Sequence, residues 1–293
     1  MVMLLETDIQ TKEVLGWQGL HLFHFSGSSC SQKLRIFLRL KGLDWQSHHV
    51  NLARGQQLTP YYMGINPRGL VPTLVHDGKV IIESNDILLY LEEQYPEPAL
   101  IPDRQDEAAR SMLDAENDLH LDLRALTMRF VFPTFLAKRP ESELAKYEAH
   151  GSGMVNGKLD PDRARELDFW RTMLKNGSIT DTHSIAAFDR FSDAFDRFDD
   201  QLKEQPFLIG EQISIVDIAW YIYARRLLDA GYPLQHHAYV WRWFTQLNAN
   251  PDFHSEVPSG GLVGFISAAL RLTQRLRGTD LKAVIGNRKV TGP

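Results

Sequence analysis

The 293-residue chain has one cysteine, Cys30, which excludes an intrachain disulfide framework and any cysteine-rich metal site. That usage suits a reducing cytoplasm, where the thiol persists. Long apolar runs are also missing: "VMLL" and "FISAAL" are far too short to span a bilayer, so no stable membrane insertion is expected. Glu6 and Asp8 interrupt the first apolar stretch and no basic region precedes it, so a secretory leader is not expected. There is no dense basic block, and the net charge of −5 removes the electrostatic footprint for nucleic acid. The pairs His48-His49 and His236-His237 have no acidic or cysteine partner at ligand spacing, so no metal is expected. What remains, 43% hydrophobic and 24% charged, is ordinary for a globular protein of one large or two smaller domains.

The first nineteen residues show no clear period and read as an extension. From Leu20 the order is strand, helix, strand. "LHLFHF" ends at Ser26-Gly27, the run Ser29 to Leu40 carries Leu34, Phe37 and Leu38 with Gly42 as its stop, and "DWQSHHVNL" follows. After a crossover closed by Pro67, "LVPTLV" and "VIIE" flank Asp77-Gly78, a tight two-residue turn. "SNDILLYLEEQYP" is a helix from Ser84 to just before Pro96. This order predicts an α/β domain over residues 20–96.

Residues 97–106 form a proline-rich linker, and residues 107–293 show helical periods with no persuasive strand. Leu119, Leu123, Leu126 and Phe130 make one apolar stripe, and Phe188, Phe191, Phe195, Phe198 and Leu202 another. Each is read as a buried face rather than a cofactor-stacking row. Ser214 and Asp217 spell a capping box, so Asp217 is a structural cap. Residues 138–165 are polar and glycine-bearing and predict a long loop, a mobile cover within the helical part.

The stretch "SGSSCSQKLR" packs four serines around the one cysteine at a strand-to-helix turn, more than a turn needs. A helix start offers unpaired N–H groups and partial positive charge, and a serine hydroxyl there can donate to a thiolate. A free thiol of pKa about 8.5 is only about 3% ionised at pH 7. Lowering it by about two units ionises roughly three quarters, for about 2.7 kcal/mol. One charge-assisted hydrogen bond and a helix dipole can supply that. The residues alone leave open whether the thiol is Cys30 or belongs to a bound cofactor.

"SSCSQKLR", "RGQQL", "NPRGLVPTL" and "IIESNDILLYLEEQYP", in this order across residues 20–96, resemble the glutathione S-transferase superfamily. The first segment is similar to the zeta-class signature and to the glutathione-dependent reductive dehalogenases. The helical half resembles the family mainly through "FLIGEQISIVDIAW". The resemblance implies a thioredoxin-like glutathione-binding domain followed by an all-α domain, with glutathione as cofactor. It places Ser28 at the serine that hydrogen-bonds the glutathione sulfur, with Ser26 or Ser29 as alternatives. Cys30 falls where the zeta enzymes and dehalogenases carry a cysteine. The Val71 backbone pairs with the cysteinyl part ahead of a cis Pro72. Glu83 and Ser84 grip the γ-glutamyl amine and carboxylate, and Gln57, or less well Gln56, meets the glycyl end.

The resemblance implies attack by a Ser28-held thiolate on a hydrophobic, aromatic electrophile, by conjugation or by thiolytic cleavage such as β-aryl ether scission. Alternatives are a glutathione-dependent isomerase or reductive dehalogenase using Cys30, and a non-catalytic assembly module of the same fold. A homodimer, or a heterodimer with a related subunit, is expected. The helix ending near Phe132 and Phe135 would line the electrophile pocket, with the 138–165 segment beginning at its rim.

Overall fold

The first hundred residues hold one mixed, five-stranded sheet whose central strands are buried on both faces. The computed structural model describes residues 1–133, 139–257 and 261–287, the side chains of 261–267 and 287 excepted. Along the chain come β1 (Val2–Met3), β2 (Leu20–His24), α1 (Ser29–Leu40), β3 (Gln46–His49) and α2 (Pro60–Met63). β4 (Thr73–His76), β5 (Lys79–Ile82) and α3 (Ser84–Gln94) complete the first stretch. α4 (Asp106–Asp118) and α5 (His120–Phe130) follow, then α6 (Glu141–Ala149), β6 (Met154–Val155), β7 (Lys158–Leu159) and α7 (Pro161–Asn176). The rest is helical: α8 (Asp181–Gln201), α9 (Ile215–Ala230), α10 (Ala238–Ala249), α11 (Pro251–His254), α12 (Gly261–Arg277) and α13 (Leu281–Asn287).

Contacts divide the chain into a first unit, Met1–Ala99 with Arg139–Leu174, and a second, Leu100–Lys138 with Lys175–Pro293. In the first, β2 and β3 run parallel, as a strand–helix–strand crossover requires, and β4 pairs antiparallel with both β2 and β5. Asp77 and Gly78 both take positive φ, 48° and 77°, in the tight turn that joins β4 to β5. α1 buries Leu34, Ile36, Phe37 and Leu38 completely, and Gly42 at φ 64° ends it.

Residues 1–19 are more than an extension. β1 pairs antiparallel with β5 through Val2↔Ile82, and Leu4, Ile9 and Val14 join the core around Phe23, Tyr62 and Val75. Burying three such side chains is worth roughly 5–9 kcal/mol, as large as the whole net stability of many domains. Their want of period reflects burial from loops and a short 3-10 turn, Lys12–Gly16, rather than from one long element.

The segment expected as a long loop within the helical part also differs. It carries α6, the β6–β7 hairpin and the start of α7, and residues 139–174 group with the first unit. Its polar sequence hid this because its buried apolar residues, Leu144 and Tyr147, are few. Phe135 lies outside the described residues, and Phe132 is half-buried.

In the second unit Phe191, Phe195, Phe198 and Leu202 of the α8 stripe are buried, as the spacing predicts, while Phe188 at its start is half-buried. Ser214 and Asp217 form the capping box of α9. Asp217 also accepts from Leu208 N at 2.9 Å and Trp243 Nε1 at 2.8 Å, a structural role throughout. His237 sits between Tyr232 Oη at 2.9 Å and Asp196 at 3.1 Å, a core histidine with both ring nitrogens engaged. Among the described residues no helix is long and apolar enough to cross a membrane.

Candidate active site

Three features of the first unit bring the sequence-predicted residues to backbone ends where a ligand can pair. The first is the start of α1. Ser28 is its N-cap, with extended backbone, and Ser28 Oγ accepts from Ser31 N at 3.3 Å. A hydroxyl has one proton and two lone pairs, so this cap leaves the Ser28 proton free to donate elsewhere. Ser28 and Ser29 are half-buried and Ser26 is exposed, while Ser31 is buried with its Oγ accepting from Phe25 N at 3.3 Å. Cys30, half-buried, is the second residue of the helix.

Arg35 fixes the serine turn, which the sequence did not signal. Its guanidinium donates to Phe25 O at 3.3 Å, Ser26 O at 3.0 Å and His24 Nδ1 at 3.1 Å. An arginine has no acceptor, so His24 Nδ1 must be the unprotonated nitrogen. Burial first, and then the Arg35 charge, lower the His24 pKa to about 4. His24 Nε2 completes the arrangement with Ser47 Oγ at 2.7 Å.

The second feature is the turn into β4. Tyr62 Oη donates to Leu70 O at 2.5 Å and meets Thr73 Oγ1 at 2.9 Å. Asn66 Nδ2 reaches the same two oxygens at 2.9 and 2.8 Å. These bonds shape the turn that carries the cis Val71–Pro72 bond. Val71 makes no ladder or turn hydrogen bond among the described residues, so its backbone is open to an extended peptide.

The third is the start of α3. Glu83 precedes it at φ 68°, ψ 121°, a left-handed conformation that is strained for a residue with a side chain, by about 1–3 kcal/mol. No side chain caps this helix, so its first N–H groups can receive a carboxylate beside the Glu83 carboxylate. Glu83 is about one-third exposed, and Ser84 is buried. An anion site next to an acid suits the zwitterionic head of an amino acid.

Glu83 does not stand alone. Arg68 Nη1 meets Glu83 Oε1 at 2.5 Å, Arg68 Nε and Nη2 grip Asp160 at 2.8 and 2.9 Å, and Nη2 meets Asp162 at 2.8 Å. Burial by itself would lower the Arg68 pKa, but the Glu83 charge and then the Asp160 contacts outweigh it and raise it. Asp160 and Asp162 come from the segment expected as a loop. No local pattern ties them to Arg68, 92 residues away in the case of Asp160.

Gln57 is only 1% exposed, and its Oε1 has no hydrogen-bond partner among the described residues. Leaving a buried amide oxygen unpaired costs about 1–3 kcal/mol, so the position suits an incoming N–H donor. Gln56 is already used, its Oε1 accepting from Asn51 N at 2.7 Å. A helix start beside the Glu83 carboxylate, a Val71 backbone without a ladder or turn hydrogen bond among the described residues and the Ser28 hydroxyl at the α1 start lie in one unit.

Comparison with known proteins identifies the family. Residues 27–94 match the family described as "Glutathione S-transferase, N-terminal domain", and 162–246 match "Glutathione S-transferase, C-terminal domain". The chain is 51% identical over 83 residues to a zeta-class glutathione S-transferase of Euphorbia esula, covering 28% of this chain and 37% of that protein. It is 48% identical over 83 residues to a maleylacetoacetate isomerase of Pseudomonas aeruginosa, covering 27% and 39%. These matches span about two fifths of the curated relatives' length. In fold, the chain resembles the crystal structure of the β-etherase LigF from Sphingobium sp. strain SYK-6. The TM-score is 0.65 at 23% identity, over 82% of this chain and 98% of that one. The two matched domains together take in more than half of the sequence, and the chain belongs to the glutathione S-transferase family.

Proposed function

We propose that the chain is a glutathione-dependent transferase acting on a hydrophobic, aromatic electrophile, by conjugation or by thiolytic cleavage of the β-aryl ether kind. The observation that carries the reading is the union, in one folded unit, of the Ser28 helix cap, the open Val71 backbone and the Glu83-Ser84 helix start. Bound glutathione supplies a thiol whose anion displaces a leaving group from carbon. Ser28 donates its free proton to that sulfur, and the positive end of α1 lowers the thiol pKa. Val71 holds the peptide by backbone pairing, Glu83 meets the ammonium, and the α3 start with Ser84 meets the carboxylate. Gln57 supplies the acceptor for a glycyl-end N–H. A reducing cytoplasm and pairing with a like or related subunit belong to the same reading.

The match to a maleylacetoacetate isomerase supports a second reading, in which the Cys30 thiol takes part in isomerisation or reductive dehalogenation. A turnover screen over aryl ethers, haloaromatics and maleyl compounds, run with wild type and Cys30→Ser, separates the two. The first reading expects Cys30→Ser to keep most activity on aryl substrates. Complete loss, with a mixed disulfide between Cys30 and glutathione trapped in the wild type, contradicts it. Failure to bind glutathione would overturn both.

A further inference from the structure

The two parts of the chain beyond the sheet-and-helix motif converge on the start of α3. From the N-terminal side, β1 pairs with Ile82, and Val2 N donates to Asp86 Oδ2 at 2.8 Å. From residues 139–174, Tyr147 Oη donates to Arg68 O at 2.9 Å and Arg163 Nη1 to Pro67 O at 3.2 Å, while Asp160 and Asp162 take the Arg68 guanidinium. The two pieces also hold each other: Ser152 Oγ donates to Asp8 O at 3.0 Å, and Gly157 N to Asp8 Oδ1 at 3.0 Å. Gly69, at φ 58°, permits the close approach, since a Cβ there would lie 2.6 Å from Met63 Sδ and 3.1 Å from the Tyr147 ring.

The charge balance gives this clasp a purpose. An Arg68 paired with Glu83 alone would cancel the carboxylate and repel an ammonium group nearby. Instead, one guanidinium faces three carboxylates. The buried Asp160 matches its charge with two parallel bonds, the strongest arrangement available to it. Asp162 adds a further negative charge, shared with Arg165, which is 65% exposed and so well screened by water. Arg163 directs its donors to the carbonyls of Pro67, Tyr147, Glu148 and His150. Glu83 therefore keeps an effective negative charge while Arg68 fixes its position.

We propose that Asp160 and Asp162 are positioning residues for glutathione recognition, acting through Arg68 to aim the Glu83 carboxylate and keep it negative toward the ammonium of the γ-glutamyl head. The inference rests on the proposed glutathione site. It gives residues 139–174 a role in cofactor affinity, in place of covering the electrophile.

The test is calorimetry on the full chain with two ligands, glutathione and its analogue lacking the α-amino group. Asp160→Asn weakens glutathione about tenfold and Asp162→Asn about threefold, with the analogue's affinity unchanged within about twofold. Asp162→Glu restores binding. Equal weakening of both ligands means a merely structural role and overturns the inference, as does unchanged glutathione binding in folded variants. If Asp160→Asn does not fold, as judged by circular dichroism, the half-exposed Asp162 carries the test. Wild type that binds neither ligand overturns the underlying site reading and this inference with it. Wild type that binds both, with variants unchanged, overturns the inference alone.

Discussion

The two helix starts of the first unit are held in opposite ways. At α1 the serine turn is fixed from within ten residues, by the Ser28 cap and by Arg35 on the carbonyls of Phe25 and Ser26. At α3 the strained Glu83 is fixed from far away, by Arg68 and by aspartates some eighty residues downstream. A hydroxyl that donates one proton to sulfur needs only a local turn. A carboxylate paired with an arginine is attractive to an ammonium only where further carboxylates share that arginine, and Asp160 and Asp162 from the distant segment share it.

The largest effect should come from breaking the distant side. Arg68→Ala leaves Asp160 buried without its counter-charge, a loss of about 3–5 kcal/mol in stability. Thermal melting should show a large drop, whereas a melt like that of the wild type would mean the ion cluster holds nothing together. Glu83→Ala acts at the same helix start but touches the ligand. Losing one charged hydrogen bond of about 1.5–3 kcal/mol should weaken glutathione at least tenfold by calorimetry, and intact affinity removes Glu83 from the site.

The local side yields to acid. The folded pKa of His24 is about 4, set first by burial and then by Arg35, and His48 is lowered by burial and then by His21. Both lie below the unfolded value of about 6.5, so between about pH 6.5 and 4 the unfolded chain binds more protons. Stability is therefore flat with respect to these groups above pH 6.5 and falls as pH drops toward 4. Protonating His24 Nδ1 also sets it against Arg35, loosening the serine turn. Melting curves across this range should show the decline, and His24→Gln should flatten it. An unchanged slope in that variant would clear His24 of the effect.

The same contrast explains what the sequence made legible. The bounds of α1, the Asp77-Gly78 turn, the Ser214/Asp217 capping box and the α8 stripe each rest on signals within a few residues, and each stands as read. Ser28, Val71-Pro72 and Glu83-Ser84 are singled out by motif order alone, which assigns positions but not partners. The serine turn's dependence on Arg35 and the Arg68 cluster left no local trace. Ion pairs between remote residues have no period, and Asp160 and Asp162 sit in a stretch whose polarity reads as solvated loop. Residues 1–19 escaped for a related reason: Leu4 and Ile9 enter the core from loops and Val14 from a short 3-10 turn, at spacings that match neither an α-helix nor a strand.

Activation of the glutathione thiol by the hydroxyl at the α1 start, as proposed, is read out by titrating the bound thiolate through its ultraviolet absorbance. In the wild type the bound thiol should titrate about two units below the free value of about 8.5. Ser28→Ala should raise it by about one to two units, the equivalent of a lost charge-assisted hydrogen bond, while cofactor affinity is largely spared. A thiol that titrates identically in both proteins would contradict the account and move the sulfur to another donor, Ser26 or Ser29.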